Sequence, residues 1–367
     1  MKKIAIIGGG IVGSTVAYYL SKYQNLCVYL FDSENGQATK AAAGIISPWL
    51  SKRRNKKWFK LATDGAALVK EIALETNMTS DIYNNSGTII TRKNPNDLKV
   101  LYSLAKQREK NNYQMGNVEI LTSKEIQQKI PYISKSNPGI FIPGGSKIDG
   151  ELYCKHLQKI ALKSNLIKIN KKVKVDNNMV YYDNQEFEFD KIIVSAGAWI
   201  NECFSNSMIK FDIYPQKGQL IDAQINTGNK FKLNELPVLM PEGQYDVINN
   251  YDNHLFVGAT HENGMNFDLK ESKKASTEMI KQIDELSNIN NNKIFDVKLG
   301  TRAYTNDFAP FFGRVPNYKD IFVASGLGSS GLTTGPLIGK ILSEMVLGNI
   351  NLDISLYTKD VNEYLTK

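Results

Sequence analysis

Cysteine is scarce in this chain. Cys27, Cys154 and Cys203 are the three present, far apart and odd in number, with no CxxC pair. That excludes a disulfide framework and points to a reducing compartment. Histidine is equally rare: His156, His254 and His261 fall at no ligand spacing, so no metal site is expected. Long apolar runs are missing as well. The nearest candidate, Ile4 to Leu20, is interrupted by Gly8, Gly9, Gly10 and Gly13, and is too short and too glycine-rich to span a membrane. No small-residue cleavage site follows it, which argues against a secretory leader. Neither a low-complexity tail nor an internal repeat stands out. Lys+Arg 45 against Asp+Glu 37 gives a net charge of +8, scattered along the chain. The densest cluster is Lys52-Arg53-Arg54-Asn55-Lys56-Lys57. It suits a solvated helix start or a funnel for an anionic substrate or cofactor better than a nucleic-acid patch, and no nucleic-acid partner is expected.

What remains is ordinary globular composition: 367 residues, 42% hydrophobic and 22% charged, enough for two domains with cores of their own. The clearest signal lies at the front. Lys2 to Ile7 is a strand, Gly8-Gly9-Gly10-Ile11-Val12-Gly13 a glycine turn opening a helix, and Cys27 to Phe31 a second strand ending at Asp32. Gly8 permits the tight turn, Gly10 lets backbone approach a pyrophosphate, and Gly13 lets helix and strand pack closely. The helix N-terminus faces the phosphates, and Asp32 accepts from an adenosine ribose hydroxyl. This reads as a dinucleotide site, without distinguishing one dinucleotide from another.

Farther along, Ala41-Ala42-Ala43-Gly44-Ile45-Ile46 allows backbone to come close to something flat. Helices are predicted over 57–76 and 149–163. Strands over 86–91 and 139–143, a long strand over 213–225 and an antiparallel pair over 244–249 and 255–259 make a mainly antiparallel sheet. Lys191 to Trp199 is a buried strand running into a small-residue turn, where Ala196 and Gly197 give a second backbone approach to the dinucleotide. Near the end, Gly326-Leu327-Gly328-Ser329-Ser330-Gly331-Leu332-Thr333 opens another helix with bare N–H groups. A helix terminus there suits a cofactor ring that becomes negative during turnover, as a reduced flavin does. Arg302 precedes it, and an arginine fork binds a carboxylate bidentately; the alternative is a structural ion pair with Asp307.

Taken in order, these motifs resemble the D-amino acid oxidase superfamily of flavoenzymes, nearest to its glycine oxidase and D-amino acid dehydrogenase branch. The likeness covers essentially the whole chain. It is carried by Gly8 to Gly13 with Asp32, Ala42 to Ile45, Ser195 to Trp199, Gln216-Lys217-Gly218-Gln219, Val257 to Thr260, Thr301-Arg302 with Asp307 and Pro310, and Gly326 to Pro336. The resemblance implies FAD, held non-covalently, since no cysteine lies near Arg302 or the last glycine loop. It places Gly8, Gly10, Ile11, Val12 and Gly13 at the pyrophosphate and Asp32 and Ser33 at the ribose. Lys40 and Ala43, Gly44, Ile45 and Ile46 fall along the flavin, Val173 beside the adenine, and Leu327 to Thr333 at the flavin pyrimidine. Arg302 then binds the substrate carboxylate, with Tyr245 and Tyr304 on the substrate side. Two departures stand out. Ser329 occupies a position where several relatives carry a second arginine, and Lys217 replaces an arginine and is expected to be solvated.

The resemblance implies an α/β fold: a discontinuous Rossmann-like FAD-binding domain (1–82, 143–212 and 301–367) and a mainly antiparallel-sheet α+β substrate domain (83–142 and 213–300). The expected activity is oxidation of the C–N bond of a D-amino acid, glycine or N-methyl amino acid. Hydride passes from the α-carbon to flavin N5, the imino acid hydrolyses to keto acid and ammonia, and oxygen or a quinone takes the electrons. The alternatives are a different amine, including that of a modified nucleotide, a hydroxy acid, or a flavin-binding subunit without turnover. The expected location is cytoplasmic, or peripheral at the inner face of a membrane if the acceptor is a quinone.

Overall fold

The computed structural model describes residues 1–225, 231–243, 245–251, 253–288, 293–349 and 352–366. Two large sheets organise them. The first has six strands in the spatial order Phe311–Arg314, Ile321–Ser325, Lys191–Val194, Lys2–Ile7, Leu26–Phe31 and Leu166–Ile169, all parallel except the first pair. Ile4 to Ile7 and Ile192 to Val194 are buried on both faces, which explains their continuous apolar runs. A three-stranded antiparallel meander over 174–188 caps one side.

The helix Ile11–Leu20 lies against the last helix, Gly331–Leu347. A methyl group added at Gly335 would come within 2.6 Å of Ile11, and one at Gly339 within 2.8 Å of the Val12 carbonyl. Without those two side chains the helices approach closely, so their N-termini open side by side.

The second sheet has eight strands in the order Lys293–Thr305, Ile213–Gln224, His254–Gly258, Asp246–Asn249, Val238–Met240, Thr88–Thr91, Gly139–Ile142 and Glu119–Leu121. All neighbours are antiparallel but one: Val238–Met240 runs parallel to Thr88–Thr91. The expected pair over 244–249 and 255–259 forms, although Gln244 lies outside the described residues. Strand alternation divides this sheet by parity. Ile221, Val247 and Val257 face the helix Lys273–Leu286, packing against Met279 and Ile283. Leu220, Ile248 and Phe256 face the other way, onto Ala43 and Ile45.

The domain limits drawn from sequence cut through two paired elements. The limit at 300 falls inside the strand Lys293–Thr305. The limit at 82 separates Tyr83–Asn84 from Ser146–Ile148, with which it pairs in a small sheet completed by Ile45–Ile46. Lys217 is not solvated. It is 2% exposed, paired with Glu262 at 3.0 Å and donating to the Lys270 carbonyl, because its strand runs beside the segment carrying Glu262.

Candidate active site

One cavity of about 690 Å³ runs from the first glycine turn to Arg302, between the two sheets. At its first end the tight approaches are steric necessities. A methyl at Gly13 would lie 1.9 Å from the Gly8 carbonyl, and one at Gly9 would lie 2.5 Å from the Asp32 carboxylate. Both helix N-termini, at Gly10 and Ser330, reach this cavity. Neither is capped by its own side chain or has an acidic residue in its first turn, so each keeps a partial positive charge. Asp32 is 7% exposed and bound by the Gln37 amide at 2.7 Å. Gln37 Oε1 and Thr301 Oγ1 are buried without a partner among the described residues, and both residues line the cavity. A long site with two positive helix termini, a buried carboxylate and unanswered polar atoms fits a pyrophosphate flanked by a ribose and a polar ring.

The expected cofactor residues divide cleanly. Gly8, Gly10, Ile11, Val12, Asp32, Ser33, Ala43, Gly44, Ile45, Val173, Ala196, Gly197 and Leu327 to Thr333 line the cavity. Gly13 does not; it serves close packing. Lys40 turns to Glu34 at 3.4 Å, and Ile46 is in the core at 1% exposure. Thr39, unremarked in the sequence, lines the cavity and accepts from Ile11 N at 3.1 Å.

At the other end, Arg302 lies across Gly218. A methyl there would stand 2.7 Å from the guanidinium carbon, so this glycine makes room for the arginine. Nη1 donates to the Thr260 carbonyl at 2.8 Å and to Gln216 Oε1 at 3.1 Å. His261 Nδ1 donates to Gln216 Oε1 at 3.0 Å; burial and the Arg302 charge push its imidazole down. No carboxylate among the described residues pairs with Arg302. Asp307 is engaged instead by Lys359 at 2.7 Å and by Thr305, Ala309 and Tyr364. The structural ion pair is therefore ruled out as the reason for this arginine.

The two tyrosines need correcting. Tyr245 is not in the cavity. It shares a face with Val247, its backbone exchanges hydrogen bonds with Gln282, and its hydroxyl donates to Glu278 at 3.3 Å. The neighbouring Asp246, on the opposite face of the strand, lines the cavity, and burial raises its carboxyl to about 7. Tyr304 sits beneath the last glycine loop, 4% exposed, its hydroxyl accepting from Ser329 N at 3.1 Å. It positions that loop. Arg53, Arg92 and Asp246, all on the cavity wall, were not singled out individually from sequence. The basic run at 52–57 hinted at Arg53; nothing signalled Asp246.

An elongated site with a dinucleotide cradle at one end and an unpaired guanidinium at the other defines a cofactor-dependent redox enzyme. The sequence matches the family described as FAD dependent oxidoreductase, DAO, over residues 3–345, and the chain belongs to that family. Its cofactor is FAD. The chain is 32% identical to the uncharacterized oxidoreductase YurR of Bacillus subtilis, over 97% of this chain and 98% of that one. It is 24% identical to the glycine oxidase of the same organism, over 95% and 94%. Among solved structures it resembles iminodiacetate oxidase from Chelativorans sp. BNC1, with a TM-score of 0.89 at 27% identity, covering 97% and 98% of the two chains.

Proposed function

We propose that this enzyme oxidises the C–N bond of a small amino acid, with the substrate carboxylate on Arg302 and its amine toward Asp246. The observation that carries the reading is Arg302 itself: a half-buried guanidinium lying on Gly218, in the cavity, with no protein counter-ion among the described residues. An arginine stays charged even there, so the site calls for an anion. Asp246 lies two strands across from Leu220 on the same face, which puts it roughly 12 Å from Gly218 by strand spacing and rise. With its carboxyl near 7 it can take the proton of a substrate ammonium, leaving the neutral amine that reacts. FAD, when bound, supplies the acceptor for the α-carbon hydride. The chain orients the substrate between Arg302 and Asp246 and screens it with Ile45, Ile90 and Met240. The imino acid so formed hydrolyses in water to keto acid and ammonia.

The names of two relatives, glycine oxidase and iminodiacetate oxidase, put primary and secondary amines in the test panel. Anaerobic bleaching of the visible flavin band is the measurement. Glycine, D-amino acids or N-methyl amino acids are expected to bleach it, and the matching 2-hydroxy acids to leave it unchanged. Bleaching by hydroxy acids alone would contradict the proposal.

A further inference from the structure

Ser329, in the last glycine loop, has a guanidinium from another part of the chain against it. Arg53, in the loop after the short helix Pro48–Leu50, brings its guanidinium to Ser329, with Nη2 3.3 Å from Ser329 Oγ and Nη1 3.4 Å from the Phe308 carbonyl. Its guanidinium carbon lies over the Trp58 ring, 4.5 Å from the centroid, and the indole Nε1 donates to Ser330 Oγ at 3.0 Å. Trp58 thus fixes both the arginine and the loop. All of these partners are neutral, and no carboxylate among the described residues pairs with Arg53. Arg302 lacks one too. Tyr304 connects them: it is two residues beyond Arg302 on the same strand, and its hydroxyl holds Ser329 N.

The cavity therefore carries three guanidiniums without carboxylate partners among the described residues, Arg302, Arg53 and Arg92, and at this end one carboxyl, Asp246. A simple amino acid satisfies Arg302 and Asp246 and leaves Arg53 unanswered. An uncompensated cation in a partly buried site calls for an anion of its own. Arg92 also lines the cavity, but its guanidinium is turned to the carbonyl of its neighbour Thr91 at 2.7 Å, and no ring holds it.

We propose that Arg53 forms a second anion subsite, so that the preferred substrate is an amine bearing two anionic groups, a carboxylate on Arg302 and a further carboxylate or phosphonate on Arg53. This rests on the amine-oxidation reading above for turnover, but not for binding. The test uses the FAD-loaded enzyme and the perturbation of its visible spectrum by non-oxidisable probes. Succinate is expected to bind at least 10-fold more tightly than propionate, with the ratio falling toward one in Arg53→Gln and recovering in part in Arg53→Lys. Anaerobic flavin reduction by D-aspartate and N-(phosphonomethyl)glycine, against D-alanine and sarcosine, then tells carboxylate from phosphonate. Equal binding of succinate and propionate by the unmodified enzyme would overturn the subsite. So would a ratio that Arg53→Gln leaves intact or that Arg92→Gln abolishes instead. If succinate binds through Arg53 but no amine bleaches the flavin, amine oxidation fails and the subsite stands. If amines bleach it and the ratio does not depend on Arg53, the reverse holds.

Discussion

Gly9 touches Asp32 at the cofactor end of the cavity, and Gly218 touches Arg302 at the substrate end, yet the two contacts arise differently. The first joins residues of one strand–helix–strand unit, close in sequence and positioned by local geometry. The second exists only because Ile213–Gln224 pairs with Lys293–Thr305 in a register that sets Gln216 opposite Arg302. Local construction makes the cofactor end rigid and intolerant. Construction from distant strands makes the substrate end adjustable one side chain at a time, the arrangement expected where relatives share a cofactor and differ in substrate.

The largest effect should come from the cofactor end. Gly13→Ala would push a methyl to 1.9 Å from the Gly8 carbonyl and force the helix off its strand. The expected product is colourless protein with a lowered melting temperature; the flavin-to-protein absorbance ratio after purification checks it. Gly218→Ala should leave the protein yellow while displacing Arg302, whose guanidinium carbon a methyl would approach to 2.7 Å. Displacing the guanidinium by about 1 Å should cost about 100-fold in kcat/KM. A colourless Gly218→Ala, or a fully active one, would erase the contrast between the two ends.

Asp246 gives a smaller, pH-dependent effect. Its carboxyl is raised by burial from an ordinary 3.8 to about 7. As the proton acceptor for the substrate, it should make kcat/KM rise with pH through about 7, and Asp246→Asn should abolish that limb. Stability should run the other way. Between these values the folded chain holds a proton that the unfolded chain has lost, so stability falls as pH rises from about 4 to about 7. At pH 8 the Asn variant should therefore melt above the unmodified protein, which a thermal melt measures directly. The smallest effect is Trp58→Phe. It removes the indole hydrogen bond to Ser330 and should cost about 1 kcal/mol in denaturant unfolding, the usual net worth of such a bond.

The same contrast explains what could be read in the sequence. The parallel sheet and its glycine turn were legible because strand, turn, helix and acid follow one another within a short span. The glycine-opened last helix was legible for the same reason. Asp246 was not. Strand residues alternate between faces, so a one-residue error exchanges the cavity for the helix side, and here Val247 and Ile248 are both buried and leave no polar alternation to settle the parity. The resemblance puts Tyr245, one residue out of phase, on the substrate side. Lys217 was misread because nothing local announces Glu262 as its partner. Arg53 was hidden in a run of six residues, five of them basic, and only the tertiary fold distinguishes the guanidinium resting on Trp58 from its exposed neighbours Arg54 and Lys56.

The central claim is that Arg302 recognises a carboxylate. It is tested most directly by anaerobic flavin reduction with D-alanine and with ethylamine, which differ by that carboxylate, in the unmodified enzyme and in Arg302→Ala. The unmodified enzyme should prefer D-alanine by about 100-fold or more, the scale of a charged hydrogen-bonded contact of about 3 kcal/mol, and the variant should lose that preference. If Arg302→Ala slowed both amines equally, or left the preference standing, the arginine would not be the carboxylate's partner.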